Sequence, residues 1–196
     1  VDVSYGRVSE DSDDWQFFDD PTPGTFNTGN TELGDVNGDG EINVVDIVMV
    51  VNMILGISTI ESSADFNQDG IVNVVDIVQL VNIILGDANI DATMATISKN
   101  GGSLNISGNG YIGAIQMTLS HYPNFNINLN KDALVSEYKT DSTTTILVVV
   151  APNSDEIFKT SDSYEIDEVI VTNSREIINV TQPYIFRLSQ AYPNPF

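Results

Sequence analysis

Residues Asp35–Gly56 read DVNGDGEINVVDIVMVVNMILG, and residues Asp65–Gly86 read DFNQDGIVNVVDIVQLVNIILG. The two segments lie 30 positions apart and agree at 15 of 22 positions. A duplicated unit this short cannot bury its apolar face alone, so the two copies must pack together or on something else. That requirement constrains the fold more than any bulk property of the chain.

Each copy opens with D-x-N-x-D-G-x-[IV]-N-x-x-D, the ligand spacing of a 12-residue calcium loop. Asp35, Asn37 and Asp39 fall at loop positions 1, 3 and 5 and offer side-chain oxygens. Gly40 at position 6 allows the sharp turn, and Glu41 at position 7 offers its backbone carbonyl. Ile42 points to the core, Asn43 at position 9 could hold a ligating water, and Asp46 at position 12 closes the site. The second loop repeats the pattern with Asp65, Asn67, Asp69, Gly70, Ile71 (through its carbonyl), Val72, Asn73 and Asp76. Calcium is a hard cation that takes six to eight oxygens, and these loops supply only oxygen. With no His or Cys nearby, zinc is disfavoured, and the stricter octahedral demand of magnesium fits less well.

A 12-residue apolar stretch follows each loop, Val44–Leu55 and Val74–Leu85, and each stops at a glycine, which predicts two helices. No entering helix precedes either loop: residues 24–34 are rich in Gly, Asn and Thr, and Ile57–Ala64 is short and Ser-rich. Ten of twelve residues in the first helix and nine of twelve in the second are apolar. Packing on each other covers one face of each and leaves a surplus of the kind that marks an interface. A cover in cis by the following domain and a partner in trans both satisfy it. Only Gly86–Ala92 separates the second helix from the next strand, too short for a free linker. We therefore expect the pair to pack on that domain as a fixed unit, with part of the Val44/Val45 or Val74/Val75 surface left for a neighbour.

Paired loop–helix calcium repeats of this length resemble a type I dockerin domain over about residues 33–88. The resemblance implies two bound calcium ions, an antiparallel helix pair, and docking onto a cohesin, a β-sandwich module. It also implies that loop positions 10 and 11, here Val44, Val45, Val74 and Val75, carry partner recognition. Familiar cellulosomal dockerins often carry Ser, Thr and basic residues there, whereas this chain has four valines.

Beyond residue 92 the pattern changes to short β-branched or alternating runs: Thr93–Ile97, Ser103–Ser107, Tyr111–Ser120, Asn124–Asn128, Thr143–Val150, Glu165–Val171 and Ile177–Val180. Turn signals separate them, which predicts a β-sandwich over 92–182. The runs Tyr111–Leu119, Leu147–Val150 and Ile166–Val171 resemble a cohesin-like or Ig-like sandwich. Before the repeats, residues 1–32 hold one strand-like piece, the aromatics Trp15, Phe17 and Phe18, and a Pro/Gly/Thr linker. Ser4–Arg7 with Trp15 and Pro21–Gly24 resembles the closing edge of a lamin-tail Ig-like domain. Leu188–Phe196, within a linker at 183–196, resembles the start of a type IX secretion sorting domain. These flanks imply an internal piece of a secreted or cell-surface bacterial protein. Asn105-Ile106-Ser107 and Asn179-Val180-Thr181 match N-glycosylation acceptors, and Asp141-Ser142-Thr143 resembles a bacterial O-glycosylation motif, so glycan attachment is an open expectation. The expected fold is thus multi-domain, α plus all-β, with a dockerin-like pair of calcium repeats packed on an antiparallel β-sandwich.

Among the 196 residues are 28 acids against 7 bases, a formal net charge of −21. That balance opposes nucleic acid and anionic membrane surfaces and favours cations. No apolar run approaches a membrane span, so no membrane insertion is expected. There is no Cys, and His121 is the one histidine. The best-placed acids are assigned to metal, and neither a phosphate loop nor a nucleophile elbow is present, so no enzyme is expected. Two functions fit. One is a calcium-stabilised structural or adhesion module of a secreted surface protein, self-associating into extracellular assemblies. The alternative is a dockerin that recruits its parent protein to a cohesin-bearing scaffold.

Overall fold

The computed structural model describes residues 4–7, 15–18, 33–86 and 90–181. Strands β1 (Ser4–Arg7) and β2 (Trp15–Phe18) pair antiparallel, with Ser4 opposite Phe18. A two-stranded ribbon therefore stands where one strand-like piece was expected. The rest of the lamin-tail resemblance and the whole sorting-domain resemblance lie outside the described residues.

Helix α1 (Val44–Ile54) and helix α2 (Val74–Leu85) follow the two loops, with a single 3₁₀ turn at Ser62–Ala64 between them. Both start on a capping box. Asn43 and Asn73 accept the backbone N–H two residues on, while Asp46 and Asp76 accept the N–H of the capping asparagine. At the end of α1, the Gly56 N–H reaches the Met53 carbonyl and the Ile57 N–H reaches the Asn52 carbonyl, the paired closure that satisfies terminal carbonyls.

Nine strands follow: β3 (Met94–Asn100), β4 (Ser103–Gly108), β5 (Ala114–His121), β6 (Asn128–Leu129), β7 (Ala133–Thr140), β8 (Thr144–Pro152), β9 (Glu156–Lys159), β10 (Tyr164–Thr172) and β11 (Asn179–Thr181). One sheet runs β10-β5-β8-β7 and the other β11-β3-β4-β9-β6. All pairings are antiparallel except that β11 runs parallel to β3. β7 and β9 were not expected from sequence. Conversely, of the Asn124–Asn128 run only Asn128 lies in a strand, where it opens the two-residue β6.

The two faces of the four-stranded sheet follow from strand alternation. Ile115, Met117, Leu119, Leu147, Val149 and Val171 point inward and meet Ile97, Leu104, Ile106 and Phe158 of the other sheet. The opposite face carries Ala114, Val135, Val148 and Val150, and these share a second core with Ile47, Val50, Val51, Ile77, Val78 and Val81 of the helices. The helix pair is a third layer on the outside of the sandwich. This is the expected α plus all-β architecture, with the helices covered in cis. Two polar contacts fix the layer: the Lys139 ammonium donates to the Gly56 carbonyl at 2.9 Å, and the Asn82 amide donates to the Ser174 carbonyl.

Candidate metal centres and docking face

The loops follow one path. Gly40 and Gly70 have φ of +88° and +87°, a left-handed conformation that favours glycine. In the first loop, Asp35 Oδ1 accepts from the N–H of Gly38 (2.8 Å) and Asp39 (3.1 Å), and its Oδ2 accepts from Gly40 (2.9 Å). Asn37 Oδ1 accepts from the Asp39 N–H at 2.8 Å, and Asp39 Oδ1 from the Glu41 N–H at 2.9 Å. Asp46 closes the loop, its Oδ1 accepting from the Val36 N–H at 2.8 Å. In the second loop, Asp65 Oδ2 accepts from Gly70 N–H, Asn67 Oδ1 from Asp69 N–H, and Asp69 Oδ1 from Ile71 N–H. Asp76 Oδ1 accepts from the Asn67 N–H at 3.1 Å.

Asp46 and Asp76 are fully buried. The ion pairs seen among the described residues, Lys131–Glu137, Lys159–Glu156 and Arg175–Asp91, involve neither loop. A buried carboxylate without a cation is costly. Burial pushes the Asp76 carboxyl above its ordinary value; hydrogen bonds from the Asn73 and Asn67 N–H groups oppose the shift, and the charges of Asp65 and Asp69 add to it. Among the described residues, no three acidic side chains stand close enough to form a ready metal cluster. Their oxygens are held by loop N–H groups instead. The donor set remains all oxygen: three carboxylates, an asparagine and a backbone carbonyl per loop. A hard cation fits those donors and would neutralise the buried acids. Asp35, Asn37, Asp39, Glu41 and Asp46 would hold one ion, and Asp65, Asn67, Asp69, Ile71 and Asp76 the other. Asn43, expected to hold a ligating water, caps its helix, a role that the N-x-x-D spacing could have announced.

The four candidate recognition valines are not equivalent. Val44 and Val45 are 41% and 49% exposed, and Val48, one turn on, is 39% exposed. Val74 is fully buried and Val75 half-buried. Val74 is enclosed in the core that the helices share with the four-stranded sheet, and of the two valine pairs Val44/Val45 is the open one.

A shallow cavity of about 340 Å³ lies elsewhere, lined by Ser120, His121, Tyr122, Ser163, Tyr164 and Glu165. His121 ends β5. It stacks on Phe125 at 4.1 Å, and its ring nitrogens are engaged by the Tyr122 carbonyl and the Thr145 hydroxyl. Burial pushes the neighbouring Tyr164 phenol up to about 12, so it stays protonated.

Residues 33–85 match the family model of the dockerin type I domain. That family is a non-catalytic, calcium-binding interaction module. No curated protein and no solved structure matches the chain at a significant level. No helix among the described residues is long and apolar enough to cross a membrane.

Proposed function

We propose that the chain is a calcium-dependent recruiting module whose loop–helix pair docks the parent protein onto a cohesin-bearing partner. The observation that carries this reading is the dockerin match over residues 33–85 together with the exposed apolar row Val44, Val45 and Val48 at the start of α1. Two calcium ions, one per loop, hold the loops in shape and leave the valines presented on a rigid helix. The setting is extracellular or cell-surface, where calcium is abundant. Calorimetric titration of purified type I cohesin modules into the chain tests it: binding in calcium that vanishes in chelator is expected, and absence of binding in calcium overturns it.

A second reading draws on the core shared between helices and sandwich. In it calcium braces a composite structural or adhesion module that self-associates. Sedimentation at high protein and calcium concentration separates the two, since a strictly monomeric chain leaves the self-associating module without support.

A further inference from the structure

The two repeats are near copies, yet the molecule uses them differently. Val74, Val78 and Asn82 form one row on α2, spaced at i, i+4 and i+8. This row is seated on the chain's own four-stranded sheet. Val74 and Val78 share a core with Ala114, Val148 and Val150, and Asn82 donates to Ser174. Gly113 makes the close approach feasible: a Cβ there would stand 2.8 Å from Val78 Cγ1 and 2.4 Å from the Asn173 carbonyl oxygen. Thirty residues earlier, Val44, Val48 and Asn52 form the equivalent row on α1, and its two valines are open.

Building on the recruitment reading, we propose that the first repeat docks on a sheet face of another protein in the pose that the second repeat takes on this chain's own sheet. The second repeat's face is closed to that partner. Docking is therefore one-sided, with one partner per chain in one orientation. The seating in cis shows what these side chains fit: a flat face of small and β-branched residues such as Ala114, Val148 and Val150. Glu41, exposed just before α1 with its carboxylate outside the ligand set, adds a negative charge at the rim. The matching face therefore carries Lys or Arg at its edge. A second copy of this chain does not qualify. Its equivalent sheet face is already covered by its own helices, and its net charge of −21 repels.

The absence of cysteine makes the asymmetry directly measurable. In the calcium-loaded full chain, Val48→Cys should react with a maleimide at least 100-fold faster than Val78→Cys. Equal rates overturn the one-sided surface whatever the partner is. Because Val78→Cys touches a core, circular dichroism must match the parent chain, and Val44→Cys against Val74→Cys supplies an independent pair. In titrations with purified type I cohesin modules, Val45→Glu and Val48→Glu should each weaken binding at least 100-fold. Ile83→Glu, exposed on α2 next to the covered row, should change it less than twofold. An equal loss from Ile83→Glu overturns the proposal. Asymmetric labelling with no cohesin bound overturns the recruitment reading, and the pose in trans with it.

Discussion

Asp39 and Asp69 hold equivalent places in the two loops, each accepting one loop N–H and one asparagine amide. Asp39→Ala and Asp69→Ala should each lose one calcium ion, because the ion is then under-coordinated. Each ion present at a thousand times its dissociation constant stabilises the fold by about 4 kcal/mol. The double change should therefore lower the melting temperature of helices and sandwich together, and a melt unchanged in calcium would refute it. Acidity offers a second test. The folded pKa of Asp76 is raised above 3.8, so the calcium-free native state holds that proton more tightly than the unfolded chain does. In chelator, stability is gained as the pH falls through the raised value toward 3.8 and is lost again as the pH rises. In calcium the order reverses, because protons displace the ion. As the pH is lowered from neutral, this group should raise the melting temperature in chelator, whereas the melting temperature in calcium should fall; parallel movement would count against the assignment. The paired acidic turns were legible because carboxylate and amide side chains recur at fixed spacing. The burial of Val74 beside an open Val44 was not, because identical local sequence carries no record of which copy meets the sheet.

Both helices were readable almost to the residue from their apolar runs and glycine stops. Their caps give the next expectation. Asn73→Ala removes the oxygen that accepts the Val75 N–H at 2.7 Å and should cost about 1 kcal/mol in thermal melts; no change would mean that Asp76 alone caps the helix. The strands were less legible. In β7 (ALVSEYKT) Glu137 and Lys139 interrupt the apolar pattern, because β7 is an edge strand and Lys139 reaches across to α1. In β9 only Ile157 and Phe158 are buried, too few to register as a run. Gln116, in the centre of β5, faces the helix layer and leaves its Oε1 buried without a partner. Gln116→Leu should raise stability by roughly 1 kcal/mol by removing that unpaired oxygen; a clear loss in denaturant unfolding would show that the amide is satisfied.

Helices and sandwich share one core, so they should unfold together. Calorimetry in calcium should show one transition across residues 33–181, and chelator should shift it as a whole; two separated transitions would mean that the layer is only loosely held. Gly113→Ala, which forces a Cβ against Val78 and the Asn173 carbonyl, should split that transition or lower it. The three-layer arrangement was anticipated from the apolar surplus of the helices and the short connection after α2. The parallel neighbour of β3 was not, because a three-residue strand carries no sign of its direction. That small pairing, Asn179 to Thr181 alongside Met94 to Thr96, joins the first and last strands of the sandwich. Tension entering at Met94 and leaving at Thr181 pulls the two strands past one another lengthwise, so their hydrogen bonds are loaded together rather than unzipped one at a time. A tether that anchors a protein against flow is strongest when its outermost seam fails in shear, and this sandwich closes on such a seam.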